Sequence, residues 1–272
     1  MMYQFYGSNN EDPSINLKPM LLHQNEDKFV ELIGRQILKM QKMIEDRLEK
    51  MEPIRNKAYE NLLELARLTY SEVPKENIEF RIYGSMVTKL AIDTSDMDIS
   101  IDGVIDAKKL SESDNPRHMT VSTMERIHER LNALEWVEVN HLISTATIPI
   151  IKLVINLEKL DKQERKHLQG SEAENTEELV IKTMKIDLNF TGVLTTNSAG
   201  GTEIEEVHSQ NTQKCSEFIK QKISEHPFLK PLAIVLKKYL ALKNLNSPFQ
   251  GTMSSYGLVL MIIAILKDMG RP

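Results

Sequence analysis

The chain has 272 residues, 41% hydrophobic and 27% charged, which excludes a disordered or low-complexity polypeptide and is enough to bury a substantial core. Its formal net charge of -5 argues against a strongly basic nucleic-acid binder, so any grip on RNA must come from a local basic patch or a partner protein. A single cysteine, Cys215, rules out an internal disulfide, and the longest apolar run, residues 257–266, falls well short of the about 20 that a membrane span needs.

Residues 1–25 are polar and Asn-rich, with Pro13 and Pro19, and read as a loosely held tail. From Phe29 the residues Val30, Ile33, Ile37, Leu38, Met40, Met43, Ile44 and Leu48 fall near a 3.6 period, predicting an amphipathic helix packed on a core and ending before Pro53. A second helix is predicted over 53–70, with Ile54, Ala58, Leu62, Leu65 and Ala66 as its apolar face.

After Val73-Pro74 comes the stretch that carries the chemistry. An apolar strand, residues 80–83, runs into Gly84-Ser85, a short helical turn follows, and a second strand over 96–101 carries Asp96 and Asp98. Residues two apart on a strand face the same way, so the two carboxylates stand side by side and repel each other unless a cation lies between them. Hard oxygen donors of this kind suit Mg²⁺, or Mn²⁺, together with phosphate oxygens of a substrate. Gly84 lets the backbone approach a ligand closely, and the amides of the next turn with the Ser85 hydroxyl offer an anion site. Taken singly, Gly-Ser is a common turn and Asp-x-Asp a common solvated strand edge. The combination at an eleven-residue step from Ser85 to Asp96 is much more specific.

Residues 105–116 read as a polar connection, followed by a helix from Thr120 to about Leu134. One or two strands are predicted over 136–155, with Pro149 at an edge or a bend because it cannot donate to a ladder. The charged stretch 157–178 reads as a solvated excursion. In the strand 183–190, Asp187 sits between Ile186 and Leu188, where a carboxylate is costly unless paired, hydrogen-bonded or metal-bound. With Asp96 and Asp98 it would complete a three-carboxylate site for two cations about 4 Å apart, suited to in-line phosphoryl transfer. A Thr/Asn/Gly-rich loop over 192–205 then hands over to helices at 211–226, 227–245 and 254–269.

The string Tyr83 to Leu90, followed by Thr94-Ser-Asp-Met-Asp-Ile99, resembles the signature of the DNA polymerase beta superfamily of nucleotidyltransferases. It is most similar to the noncanonical poly(A) polymerases and terminal uridylyltransferases. Residues 146–153, the segment around Lys237 and Lys238, and Gly251 to Leu258 with its Ser-Ser-Tyr extend the resemblance over most of 29–266. It implies an α/β (α+β) nucleotidyltransferase fold: a catalytic domain with a small mixed sheet over 56–205, inserted in a helical domain formed by 26–55 and 206–272. It also implies that Lys237 and Ser254 or Ser255 contact the nucleotide's phosphates, that Tyr256 stacks on its base, and that Asn211 and Thr212 lie near its ribose.

The activity so implied is template-independent addition of AMP from ATP to RNA 3′ ends in the nucleus, with a partner protein supplying RNA affinity and no membrane association. The alternatives are a uridylyltransferase using UTP, a cytoplasmic setting, an inactive RNA-binding or scaffolding subunit, and a small-molecule nucleotidyltransferase. Some uridylyltransferases carry a second phosphate-binding Lys four residues after the first, a position held here by Ala241. The resemblance further implies helical chain beyond Pro272 with a loop that helps choose ATP over UTP.

Overall fold

The computed structural model describes residues 26–146, 148–161, 182–191, 193–196, 202–246 and 251–270, with backbone alone at 26, 27, 107, 193–196 and 202–212. The tail at 1–25 and most of the acidic excursion lie outside the described residues. Two long helices, α1 (Glu26–Lys50) and α2 (Glu52–Thr69), lead into β1 (Glu79–Tyr83) and β2 (Met97–Asp102). Then follow α3 (Ala107–Ser111), α4 (Pro116–Leu131), β3 (Val137–Ile143), β4 (Ile150–Asn156) and β5 (Thr183–Phe190). A hairpin of β6 (Val193–Thr196) and β7 (Thr202–Glu205) precedes α5 (Glu206–Glu225), α6 (Leu229–Leu242) and α7 (Ser255–Asp268).

The main sheet is five-stranded and mixed, in the order β1-β2-β5-β4-β3, with β2 and β5 parallel and the other pairs antiparallel. Its two faces separate by strand alternation. Met97, Ile99 and Ile101 of β2, Ile151, Leu153 and Ile155 of β4, and Met184, Ile186, Leu188 and Phe190 of β5 bury against Leu62 and Ala66 of α2 and Met124, Ile127 and Leu131 of α4. Each such aliphatic side chain contributes about 2 kcal/mol of transfer free energy. The intervening residues, among them Asp98, Lys152 and Asp187, point to the opposite, polar face.

A second apolar cluster joins Ile44 of α1, Ile219 of α5, Leu229, Ala233 and Ile234 of α6, and Leu258, Val259, Ile262, Ile263 and Leu266 of α7. It also takes in Leu90 and Ile92, from the segment between the Gly-Ser turn and the paired aspartates. No helix among the described residues is long and apolar enough to cross a membrane.

Several local expectations are corrected. Val30, Ile33, Leu38 and Met43 of the α1 stripe are exposed, and only the second half of the helix packs, through Ile44 with Met40 and Leu48 against it. The polar connection contains α3, capped by Asp106, whose carboxylate accepts from the Lys108 and Lys109 amides. Helix α4 starts at Pro116 rather than Thr120, because Asn115 accepts from the His118 amide and Pro fits the first helical turn. The 192–205 loop holds the β6–β7 hairpin, and α5 begins at Glu206. Residues 157–161 are helical, with Leu157 and Leu160 fully buried rather than solvated. Pro149 stands just ahead of β4, outside the ladder of an inner strand.

Candidate active site

The Gly-Ser turn follows directly on β1. Gly84 has φ +68, a left-handed conformation, and a Cβ there would be driven into the Asp98 carboxylate, 3.3 Å from its Cγ. The turn is closed by Thr88 N donating to the Gly84 carbonyl at 3.2 Å and Leu90 N to the Ser85 carbonyl at 3.0 Å, one irregular turn rather than a regular helix. Glycine is thus fixed both by the backbone and by the acid beneath it.

Sheet register does the rest. Asp98 of β2 is paired with Tyr83 on one side and with Asp187 of β5 on the other, and Asp187 is paired in turn with Lys152 of β4. Asp96 lies just ahead of β2 and lines the same cleft. Burial, then the charges of Asp187 and Asp96, push the Asp98 carboxyl up to about 7. Burial and then Asp187 push Asp96 up as well. Nearby, the Tyr83 phenol accepts from Asn189 Nδ2 at 2.9 Å and is pushed up by burial and by the Asp98 and Asp187 charges.

The three carboxylates therefore feel one another strongly, yet they do not form a closed ligand set. Among the described residues no group of three or more His, Cys, Asp and Glu is arranged to hold a metal ion. The Lys152 ammonium pairs with one of the three, its Nζ lying 2.5 Å from Asp187 Oδ2.

These groups open into a cleft of about 990 Å³ between the polar face of the sheet and helices α5 to α7. Across it, Lys237 of α6 is 6% exposed; burial brings its ammonium down to about 8 against the opposing pull of Asp98 and Asp96. Its Nζ donates to the Leu90 carbonyl at 3.3 Å. Ser255 lines the cleft and donates to Asn246 Oδ1 at 3.2 Å. Ser254 instead caps α7, its hydroxyl accepting from Gly257 N at 2.9 Å. Tyr256 is 44% exposed on the wall, its phenol pushed up by the Cys215 thiol beside it. Asn211 and Thr212 fall in α5, but their side chains lie outside the described residues.

Sequence reasoning assigned no role to Lys152, to Cys215, or to the ion pairs around Asp93. Lys238 Nζ lies 2.7 Å from Asp93 Oδ1, and Arg47 of α1 reaches Asp93 Oδ2 at 3.3 Å. Lys152 alone had a local signal: it shares the outward parity of β4 within the string 146–153.

The five-stranded mixed sheet, with a Gly-Ser turn seated on acids of its parallel strands and a helical wall across the cleft, is that of a nucleotidyltransferase fold. Residues 39–198 match the family described as Poly(A) RNA polymerase, mitochondrial-like, central palm domain, and the chain belongs to it. It is 25% identical over 191 residues to the poly(A) RNA polymerase cid14 of Schizosaccharomyces pombe, covering 70% of this chain and 21% of that protein. It is equally 25% identical over 189 residues to the poly(A) RNA polymerase gld-4 of Caenorhabditis elegans, covering 70% and 16%. The chain thus spans about a fifth of the length of these relatives. The polymerase core of TRAMP, an RNA surveillance complex, superposes with a TM-score of 0.52 at 15% identity, covering 80% of this chain and 50% of that one. The poly(A) polymerase complex of GLD-2 and GLD-3 gives 0.50 at 18% identity, covering 84% and 58%.

Proposed function

We propose that this chain is the nucleotide-adding unit of a template-independent RNA 3′-end polymerase that transfers AMP from ATP. The observation that carries this reading is the stacking of Asp98 against both the Gly84 turn and Asp187, with Lys237 across the same cleft. The donor set fits a divalent cation: Asp96, Asp98 and Asp187 are hard oxygen donors, and Asp96 and Asp98 are pushed up by burial and then by the Asp187 charge, with Lys185, Lys237 and Lys152 pulling the other way. These three residues would hold Mg²⁺ or Mn²⁺, which supplies charge neutralisation at the reacting phosphate and at the attacking oxygen.

The chain's own side chains divide the remaining work. The amides after Gly84 and the Ser85 hydroxyl cradle phosphate oxygens, and Lys237 adds a point charge from the opposite wall. Ser255, rather than the cap Ser254, is the hydroxyl placed to join them. Tyr256 offers a ring face to the base. The family resemblance assigns Asn211 and Thr212 to the ribose. Asp187 sits on the strand farthest from the Gly-Ser turn among the three acids and helps the RNA 3′-hydroxyl lose its proton. Holding donor and acceptor in line in this way is itself a large part of the rate enhancement.

The two apolar clusters support a division into a strand domain, 56–205, and a helical domain from 26–55 and 206–272, with Met51 and Ile54 packing on the sheet cluster and Leu90 and Ile92 on the helical one. The net charge of -5 supports a partner protein that brings RNA affinity, and the same proposal places the activity in nuclear RNA processing. Ala241 stands where some uridylyltransferases carry a second phosphate-binding Lys, a departure from that branch of the family.

The test is extension of a short oligo(A) by the chain with Mg²⁺ and each nucleoside triphosphate offered separately. ATP is expected to be used best, and Asp96→Ala with Asp98→Ala to lower the rate by roughly 10³-fold or more. Undiminished extension by the double variant would sink the site, and preferential use of UTP would sink the adenylyl assignment.

A further inference from the structure

We propose that Lys152 is a resident counter-ion of the acidic trio, paired with Asp187 while no divalent cation is bound and exchanged out when one arrives. The inference rests on the reading that Asp96, Asp98 and Asp187 hold a divalent cation. It assigns a positioning role to a residue outside that set.

Strand pairing fixes the starting geometry. Tyr83, Asp98, Asp187, Lys152 and His141 are register partners across β1, β2, β5, β4 and β3, so one polar row crosses the whole sheet. Asp187 stands between a like charge, Asp98, and an opposite one, Lys152. Three carboxylates on one face repel one another; the Lys152 ammonium touches Asp187, 2.5 Å from its Oδ2, while Lys185 and Lys237 act on Asp96, and Lys237 on Asp98, through space. Lys237, on the far wall, is directed to the Leu90 carbonyl instead.

The same contact occupies Oδ2 of Asp187, an oxygen that a bound cation would compete for. The two partners differ in freedom to leave. The Asp187 side chain is 14% exposed on an inner strand, whereas that of Lys152 is 32% exposed and lines the cleft. A flexible four-carbon stem can withdraw its charge without any backbone movement. A dication bound by two carboxylates gains more Coulomb energy than a monocation bound by one, so its arrival drives the ammonium off Asp187 and into the cleft.

Wild-type chain tests this directly. Reductive methylation of lysines, read residue by residue by mass spectrometry, should label Lys152 several-fold more at saturating Mg²⁺ than without it, while Lys75, paired with Glu64, is unchanged. A Lys152 equally reactive in both conditions overturns the proposal. The second measurement is Mn²⁺ binding followed by the electron paramagnetic resonance signal of the free ion. Lys152→Met should bind Mn²⁺ about tenfold more tightly, because a competing cation is gone. Lys152→Gln serves if the Met variant fails to fold.

Equal or weaker Mn²⁺ binding by a folded variant overturns the exchange, as does a wild-type chain that binds no Mn²⁺. A wild type that shows the labelling change and binds Mn²⁺ but extends no oligo(A) supports the exchange and overturns the proposed function instead.

Discussion

The two apolar clusters of this molecule are built to different standards. The one beneath the sheet is closed: Ile99, Ile101, Ile151, Ile186 and Leu188 are 0% exposed, and α2 and α4 seal it. The helical cluster is open-sided: α7 buries Leu258, Val259, Ile262, Ile263 and Leu266 while leaving Leu260, Met261, Ile265 and Met269 exposed on its other side. The acids that must keep fixed spacing stand on the closed unit. The groups assigned to grip and release a nucleotide, Lys237 and Tyr256, stand on the open one. The cleft's two walls thus differ in how completely their apolar residues are covered, and the more open one is expected to be the less stable locally.

Truncations at matched positions should expose that difference most strongly. Ile99→Ala leaves a sealed cavity in the middle of β2 and is expected to cost about 4 kcal/mol, whereas Ile262→Ala, near the exposed side of α7, should cost about 2 kcal/mol. Urea unfolding measures both, and equal losses would erase the contrast.

Two glycines give a second comparison, because both have positive φ. Among the described residues an added Cβ at Gly251 meets nothing within 4 Å, while one at Gly84 enters the Asp98 carboxylate. Gly84→Ala should lower kcat/KM for oligo(A) extension by about 100-fold through displacement of the acid. Gly251→Ala should show only the backbone strain of about 1 kcal/mol in a melting experiment. Similar kinetic losses for the two would argue that the turn is not seated on Asp98.

The smallest effect concerns pH. The Asp98 carboxyl, raised to about 7 from the ordinary 3.8, lets the folded chain hold an extra proton between those values. Its contribution to stability is therefore fully present below about pH 4 and is lost as pH rises through about 7. In the metal-free chain Asp98→Asn should flatten that slope and add on the order of 2 kcal/mol at pH 8, seen as a higher Tm. Mn²⁺ affinity of the wild type should conversely weaken as pH falls below about 7. A Tm profile unchanged by the substitution would show that Asp98 is not the group under stress.

Much of this was legible in the order of residues. The eleven-residue step from Ser85 to Asp96, the position of Asp187 between apolar neighbours, and the Ser-Ser-Tyr segment are local patterns, and local patterns survive without coordinates. Hidden were the features set by pairing partners far apart in sequence. That Asp187 lies opposite Lys152 depends on the β4 to β5 register, which no local periodicity encodes. The β6–β7 hairpin was missed because Val193-Leu-Thr-Thr and Thr202-Glu-Ile-Glu are too short for a clear alternation. The start of α4 was missed because Asn115-Pro116 was read as the end of the polar connection when it was a cap followed by a first helical residue.

One consequence lies in how the segment between Gly84 and Asp96 is moored. Met86 packs on the sheet cluster, Leu90 and Ile92 are sunk in the helical one, and Asp93 is clasped by Lys238 and Arg47. The stretch is a taut strap with a post at each end. Any displacement of the helical wall is therefore expected to reach the Gly84-Ser85 turn along the chain itself, because the segment between the turn and Asp96 is anchored in both clusters.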